Sequence, residues 1–267
     1  MRKKTLRSPR RVRKEKEQKM RKGLLFFSLF AVLLGGAVYG LARPSLRITD
    51  IGVSGSSRVP EERVVETVRK GITGTYLGFI PKAHPFVYPK EALRTELIKE
   101  FPTFSKVSIS LGSLAALRVI VREREPRALW CAGMFGCFLV DEEGFVFAPA
   151  ETGSEKLHFR LEKEATSSPL GTEIFSADRL AASITFLKEL QMLGFNPERL
   201  VFQHERDVEV PLSDNARLLL KEGDYARALS NLQALLLQGN VLPGTVKATN
   251  VEYIDLRFGN KIYFKPK

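Results

Sequence analysis

The sequence predicts an α+β protein that begins with a single N-terminal transmembrane helix. A small α+β domain and a larger antiparallel β domain with flanking helices follow it. Three observations support this prediction: one uncharged stretch near the N-terminus, two amphipathic helices among three strands in residues 47–121, and a succession of short strands after Pro126. Because 44% of the 267 residues are hydrophobic, the chain can bury sizeable cores.

The N-terminal segment carries nearly all of the excess positive charge. The chain has 42 Lys and Arg against 30 Asp and Glu, and residues 1–22 hold 12 of these basic residues but only two of the acids. The remaining 30 basic and 28 acidic residues leave the rest of the chain close to neutral. Nucleic-acid-binding domains carry basic patches on a folded surface. This distribution instead predicts a cytoplasmic tail that contacts anionic lipid.

Residues 23–42 predict the membrane span. They contain no charge, and a helix of this length crosses about 30 Å of hydrocarbon. Because the basic segment directly precedes them, the positive-inside rule predicts residues 1–22 in the cytoplasm and residues 43–267 outside. The alternative is a signal peptide cleaved after Ala42, but the lengths of the basic and apolar segments favour an uncleaved helix.

The next region predicts a strand, two helices and two strands. Each helix begins next to a proline and has an apolar stripe, and Gly112 and Ser113 indicate a hairpin between the last two strands. In chain order, these elements are predicted at Arg47–Val53, Pro60–Arg69, Pro89–Glu100, Phe104–Leu111 and Leu114–Val121. Two helices on one face of a three-stranded sheet form a small α+β layer.

The region after Pro126 predicts an antiparallel sheet with two helices. The helices are expected at Ala177–Leu193 and Asp224–Gln238, where apolar residues recur at helical spacing. The strands are predicted at Arg127–Cys131, Cys137–Val140, Phe145–Ala148, Arg199–His204, Val208–Pro211, Arg217–Lys221, Asn250–Phe258 and Ile262–Phe264. The final strand has no successor, and Lys261, Lys265 and Pro266 are typical of an edge strand.

The last hairpin has two possible registers. A two-residue turn at Gly259 and Asn260 would place Phe258 opposite Lys261. A three-residue turn would place Phe258 opposite Ile262 and would collect the apolar residues on one face: Ile254, Leu256, Phe258, Ile262 and Phe264. Because a slip of one residue turns every side chain to the other face, the three-residue turn is favoured.

Cys131 and Cys137 are separated by a five-residue loop between two predicted strands. A disulfide is permitted outside the cytoplasm, and facing positions of a hairpin bring the Cβ atoms to about 4.5–5.5 Å. The sequence leaves two interpretations open, a disulfide or two small buried thiols.

The residues give little sign of catalysis. The three histidines, His84, His158 and His204, have no metal-binding spacing, so neither a metal nor a cofactor is expected. The acidic residues 141–143 precede Gly144 between two strands, which is typical of a solvated turn. The alternative function is an anchored extracytoplasmic enzyme, similar to a cell-wall hydrolase, with an unrecognised site.

Five segments together resemble a known family. In order, they are Ile51–Gly55 (IGVSG), Glu100–Pro102 (EFP), Val121–Ala128 (VREREPRA), Phe138–Phe147 (FLVDEEGFVF) and Tyr253–Phe258 (YIDLRF). Behind a basic tail and one apolar stretch, this set resembles the FtsQ/DivIB family of bacterial cell-division proteins. The resemblance implies a POTRA-like domain (β-α-α-β-β) at residues 46–123 and a β domain at residues 124–267. It also implies a non-catalytic membrane scaffold that links early and late division proteins.

The resemblance places partner binding at the C-terminal edge. Phe258–Phe264 match the stretch that the family uses to bind FtsB, and Arg206 and Arg257 match basic positions that can meet acids of a partner. The predicted partner-binding residues are Arg206, Arg257, Phe258, Gly259, Asn260, Lys261, Ile262, Tyr263, Phe264 and Lys265. The implied partners are FtsB- and FtsL-like proteins, with FtsW/FtsI-like and FtsK-like proteins, at the division site of the cytoplasmic membrane. Neither nucleic acid nor a small-molecule substrate is expected.

Overall fold

A computed structural model describes residues 9–41, 46–154, 159–237 and 251–267. The predictions for residues 1–8 and for Ala42, His158, Gln238 and Asn250 lie outside these ranges. The chain divides into two compact units, and the second comprises Gly55–Val59, Leu97–Val107 and Val121–Lys267. The domain boundaries at residues 46–123 and 124–267 stay predictions.

The N-terminal region contains one helix, α1, from Pro9 to Leu41. The prediction of a transmembrane helix at residues 23–42 is wrong, and the described part of this stretch, residues 23–41, is the second half of a helix that begins among the Lys and Arg residues of the tail. Among the residues that the structure describes, no helix combines the length and the apolar character that crossing a membrane requires.

Residues 50–123 contain the predicted helices and strands together with two short additional strands. In chain order they are β1 Asp50–Ser54, α2 Glu61–Gly71, β2 Thr75–Tyr76, β3 Ile80–Pro81, α3 Lys90–Glu100, β4 Phe104–Ser113 and β5 Ala116–Glu123. The three longer strands have the order β1-β5-β4, with β1 parallel to β5. Val64 and Val68 of α2 and Leu93 and Leu97 of α3 are buried, as the apolar stripes predicted.

A nine-stranded sheet and two helices make up most of the second unit. The elements are β6 Ala128–Cys131, β7 Cys137–Val140, β8 Val146–Pro149, β9 Phe159–Glu162, α4 Ala177–Met192, β10 Arg199–Phe202, β11 Asp207–Pro211, β12 Arg217–Lys221, α5 Tyr225–Leu237, β13 Val251–Phe258 and β14 Lys261–Pro266. Across the sheet, the strand order is β14-β13-β12-β11-β10-β9-β6-β7-β8. Strands β14 and β8 are therefore its two edges.

The sheet is mixed, and the prediction of an antiparallel β domain is wrong in this respect. Strand β9 pairs in parallel with β6 and β10, and β12 pairs in parallel with β13. Helix α4 connects β9 to β10, and α5 lies between β12 and β13 in the chain. A helical crossover returns the chain in its original direction, so the strands it joins pair in parallel.

Helices α4 and α5 share the main core with one face of the sheet. Buried side chains of α4, such as Phe186 and Leu190, belong to one cluster with Leu232 of α5 and with alternate strand residues, including Leu218 and Ile254. A smaller cluster of Leu129, Leu139 and Phe147 is formed by the intervening positions of β6, β7 and β8. Alternate residues of a strand point to opposite faces, so the two clusters lie on opposite faces of the sheet.

Candidate protein-interaction edge

Strand β14 pairs with β13 on one side, and among the described residues no strand pairs with its other side. Along β14 the exposure alternates: Lys261, Tyr263 and Lys265 are exposed, whereas Ile262 and Phe264 are half-buried. The latter two side chains pack against the main core. Within the described part of the chain, nothing pairs with the outer side of β14, so this edge combines an unpaired backbone with half-buried apolar side chains.

The hairpin turn has two residues, and the predicted three-residue turn is wrong. Phe258 lies opposite Lys261, and further along the ladder Ile254 lies opposite Phe264. Between these pairs the register shifts by a β-bulge on β13. The extra residue restores the alternation, so Ile262 and Phe264 face the core in spite of the shorter turn.

Phe258 is the apolar residue that the bulge turns away from the core. Its side chain is 55% exposed and Tyr263 is 51% exposed. The two rings meet edge to face with centroids 5.4 Å apart, and the guanidinium of Arg257 lies 5.7 Å from the centre of the Phe258 ring. Aromatic rings that are half-exposed but held in place are typical anchors of protein interfaces.

Arg257 lies in a compact group of charges at the end of β13. Its Nε and Nη2 donate hydrogen bonds to Asp255 at 2.9 and 2.6 Å, and its Nη1 donates to Asp207 at 2.7 Å. Lys221 forms a further ion pair with Asp207. The guanidinium that was predicted to meet a partner's acid is therefore already engaged by two carboxylates of its own chain.

These contacts shift the pKa values of the group in the directions that ion pairs favour. A hydrogen bond from Lys221 is the main reason why the pKa of Asp207 is lowered, and Arg257 adds to the effect. Burial raises the pKa of Asp255, but the hydrogen bonds from Arg257 outweigh burial and hold that pKa below its ordinary value. Both carboxylates are therefore ionised at neutral pH.

The turn of the hairpin is held from helix α5. Gly259 has a φ of +66°, and the side-chain amide of Asn231 donates a hydrogen bond of 2.8 Å to its carbonyl oxygen. On β14, the ammonium of Lys265 lies 2.6 Å from the carboxylate of Glu252. Sequence reasoning missed Asn231 and Asp207, because both are distant from the hairpin along the chain. The contact between Asp255 and Arg257 could have been predicted, because the two residues are two positions apart on one strand.

Arg206 lies away from the edge, in the turn between β10 and β11. Its φ is +63° and that of Glu205 is +58°, a conformation that is unfavourable for residues other than glycine. The Nη2 of Arg206 donates to the carbonyl oxygen of Glu222 at 3.1 Å. Strands β12 and β13 lie between β11 and β14, so Arg206 is distant from the β14 edge. It directly precedes Asp207, however, and Asp207 accepts a hydrogen bond from Arg257, so Arg257 is the predicted site residue that lies near this turn.

The opposite edge of the sheet is covered by the chain itself. The N–H of Val146 in β8 donates to the carbonyl oxygen of Thr172 at 2.9 Å, and the N–H of Gly171 donates to the carbonyl oxygen of Val146 at 2.8 Å. Phe145 and Glu173 add an antiparallel bridge. Segment 171–174 therefore covers the start of β8, at Val146.

Cys131 and Cys137 are joined by a disulfide bond between β6 and β7. The two residues lie directly opposite each other in the antiparallel ladder, with Cα atoms 4.0 Å apart. The bridge closes a loop that presents Met134, which is 90% exposed.

A cavity of about 810 Å³ lies between segment 163–169 and the turn at residues 203–207. Asp207 borders it, and its lowered pKa, caused chiefly by the hydrogen bond from Lys221, is opposite to the raised pKa that a general acid needs. Within the described ranges, no group of three or more His, Cys, Asp or Glu residues is placed to hold a metal ion.

Residues 128–257 match the family model described as cell division protein FtsQ/DivIB, C-terminal. The chain therefore carries the C-terminal domain of the FtsQ/DivIB family. The predicted resemblance is thereby confirmed, and the family assigns the chain a role in cell division. FtsQ/DivIB proteins are non-catalytic division proteins that act through interactions within the division machinery.

The FtsQ/DivIB match begins at Ala128, where β6 starts, and ends at Arg257 near the end of β13. It therefore includes Arg206 and Arg257, and the remaining predicted partner-binding residues follow it directly. No curated protein matches the chain.

Proposed function

We propose that this FtsQ/DivIB protein is a non-catalytic scaffold of the division machinery that holds a partner by adding a strand to β14. The observation that carries the proposal is the open edge itself, which combines a free backbone with half-covered apolar side chains. An added strand gains main-chain hydrogen bonds for affinity, and pockets for its alternate side chains provide specificity.

The partner segment that fits this edge is extended and alternates in polarity. Its apolar side chains cover Ile262 and Phe264, and those on the other face contact Tyr263 and Lys265. The proposed contact surface is the predicted set Arg257, Phe258, Gly259, Asn260, Lys261, Ile262, Tyr263, Phe264 and Lys265.

The two arginines have separate parts in this proposal. Because Arg257 already contacts Asp207 and Asp255, a partner carboxylate has to join this group or replace one of its members. Arg206 lies several strands from the edge, so it meets a part of the partner that continues beyond the added strand.

By family resemblance, the partners are FtsB- and FtsL-like proteins, and FtsW/FtsI-like and FtsK-like proteins are further candidates. The disulfide between Cys131 and Cys137 supports an extracytoplasmic location for the second unit, because such bonds persist in oxidising compartments. We place this activity at the division site.

The test is titration of the full chain with the soluble segment of an FtsB-like protein from the same organism. Wild type is expected to bind, and Tyr263→Pro is expected to abolish binding. The N–H of Tyr263 faces β13, because hydrogen-bonded positions alternate along β14 from the Phe258–Lys261 pair at the turn. Proline there removes a hydrogen bond within the hairpin and fixes φ near −65°, which misdirects the strand that the partner pairs with. Tyr263→Ala, which keeps the N–H, is expected to retain weaker binding.

Circular dichroism and thermal unfolding serve as the folding controls for these variants. Unchanged binding by a folded Tyr263→Pro protein would show that β14 is not the docking edge.

A further inference from the structure

We propose that Asn231 of helix α5 is a positioning residue for the docking edge. It fixes the orientation of the central peptide of the β13–β14 turn and thereby sets how often the edge is ready to accept a strand. This inference rests on the proposed function of β14.

The carbonyl groups of the two central turn residues, Gly259 and Asn260, have no partner within the hairpin ladder. Gly259 has a positive φ, whereas Asn260 does not, which is the pattern of a type II′ turn. In such a turn the hydrogen bond between the flanking strands uses the residues on either side, so the carbonyl of Gly259 points away from the ladder. The amide of Asn231 meets that carbonyl at 2.8 Å.

This hydrogen bond selects between two turn types. In turns of types I′ and II′ the first central residue has a similar φ. The two types differ by a flip of the peptide between the two central residues. Asn260 is a residue that tolerates a positive φ, so the sequence of the turn allows both states. A donor fixed on α5 favours the state in which the carbonyl of Gly259 faces the helix.

The turn directly adjoins the parts of the edge that a partner would contact. Phe258 precedes Gly259, Lys261 follows Asn260, and the ring of Phe258 packs on Tyr263. On its other side, the end of β13 is held by Arg257 through Asp207 and Asp255. A peptide flip at the turn therefore changes the twist of the hairpin end and disturbs the aromatic pair.

Without the hydrogen bond from Asn231, a smaller fraction of molecules has a docking edge that is ready to bind. When only a fraction of molecules is competent, the apparent affinity falls by that fraction. Loss of one hydrogen bond corresponds to a change of about 3- to 10-fold. Because the bound state holds the hairpin in place, the change is expected in the association rate.

The chain offers a matched pair of substitutions on α5. Asn231→Asp keeps the size of the side chain but removes the donor at neutral pH. Gln233→Glu makes the same change of amide to carboxylate at an exposed position two residues away. Asn231→Gln keeps an amide donor on a longer side chain and serves as the conservative rescue.

The experiment measures association and dissociation rates of the full chain with the same FtsB-like soluble segment. Asn231→Asp is expected to slow association about 3- to 10-fold with a dissociation rate within about 2-fold of wild type. Gln233→Glu is expected to behave as wild type, and Asn231→Gln to recover part of the rate. In NMR spectra, the amide signals of Asn260 and Lys261 are expected to shift or broaden in Asn231→Asp.

The possible failures are distinguishable. If wild type does not bind, the proposed function fails, whatever Asn231 does. If wild type binds and Asn231→Asp associates at the wild-type rate, the inference about Asn231 is wrong while the docking edge stands. A lower melting temperature with unchanged association also contradicts the inference, because it indicates a purely structural hydrogen bond. Should Asn231→Asp fail to fold, wild-type rates in Asn231→Gln combined with altered turn signals would overturn it.

Discussion

The two edge strands of the nine-stranded sheet differ in how far other residues cover them. At β8, segment 171–174 hydrogen-bonds to Val146, and the neighbouring Phe147 is only 1% exposed. At β14, no strand of the described ranges pairs with the outer backbone, and Phe264 is only half-buried although it packs against the core. Open edges invite unwanted pairing, and proteins protect them with charges or a covering segment. An edge that carries lysines but no cover is therefore suited to a chosen partner.

Truncating one phenylalanine at each edge is expected to give the largest contrast. Phe147→Ala should lower the free energy of unfolding by about 3–5 kcal/mol, because its ring is fully buried. Phe264→Ala should lower it by about 1–2 kcal/mol, because that ring is already partly in contact with water.

Denaturant unfolding and partner titration of both variants measure this contrast. Partner affinity should fall for Phe264→Ala and stay unchanged for folded Phe147→Ala. A loss of partner affinity in Phe147→Ala but not in Phe264→Ala would contradict the proposed difference between the two edges.

The cover of β8 depends on a glycine that has no room for a side chain. Gly144 has a φ of +84°, and a Cβ atom there would collide with the carbonyl of Phe175. Gly144→Ala is expected to lower the free energy of unfolding by about 2–4 kcal/mol.

Gly194 is the matched control, since its φ is +87° but a Cβ atom added there would have no neighbouring atom within 4 Å. Gly194→Ala should therefore lower the free energy of unfolding by only about 1 kcal/mol, the cost of a positive φ at a residue with a side chain. Chemical denaturation of both variants compares the two values, and equal losses would mean that the close contact at Gly144 is unimportant.

Acid is expected to loosen the end of β13 and β14 before it loosens β8. The pKa values of Asp207 and Asp255 are lowered in the folded chain. Their ion pairs therefore stabilise the fold fully above the ordinary pKa near 4, and this contribution is lost as the pH falls through the lowered values.

An NMR titration from neutral pH downward follows this transition. The amide signals of Arg257 and Tyr263 should change below about pH 4, and those of β7 and β8 serve as the internal reference. Asp255→Asn should remove part of the pH dependence. A titration in which both ends of the sheet change together would contradict the expectation.

The smallest effect is expected from charge reversal on the outer face of β14. Lys265→Glu replaces an ion pair with Glu252 by two like charges and changes the charge that the partner meets. Partner association should weaken by a few-fold, and the difference from wild type should shrink as salt is added. Binding measured at two salt concentrations checks this. A loss that does not depend on salt would indicate a steric cause.

Local patterns predicted much of the fold. The ranges predicted for β7 and β12 are those observed, and both helices of the second unit agree within two residues at each end. Strand β9 was missed, because it is a short segment whose place between β6 and β10 depends on distant pairing. The parallel pairs could have been predicted from the helices that precede β10 and β13.

The candidate site was predictable in its position along the chain but not in its geometry. A terminal hairpin with lysines at its edge indicated an open strand, and β14 has that place in the sheet. The two-residue turn and the bulge that corrects its register have no signature in residue type, since Phe264 faces the core both with a three-residue turn and with a two-residue turn followed by a bulge. The engagement of Arg257 by Asp207 depends on strands that meet only in the folded chain.

Hydrogen exchange of the full chain, with and without the FtsB-like segment at saturation, tests the central claim most directly. If the partner adds a strand to β14, amides of Ile262–Lys265 that point away from β13 should exchange at least about 10-fold more slowly in the complex. The amides of β8 should exchange at the same rate in both states. Binding that leaves the exchange of the β14 amides unchanged would contradict the account.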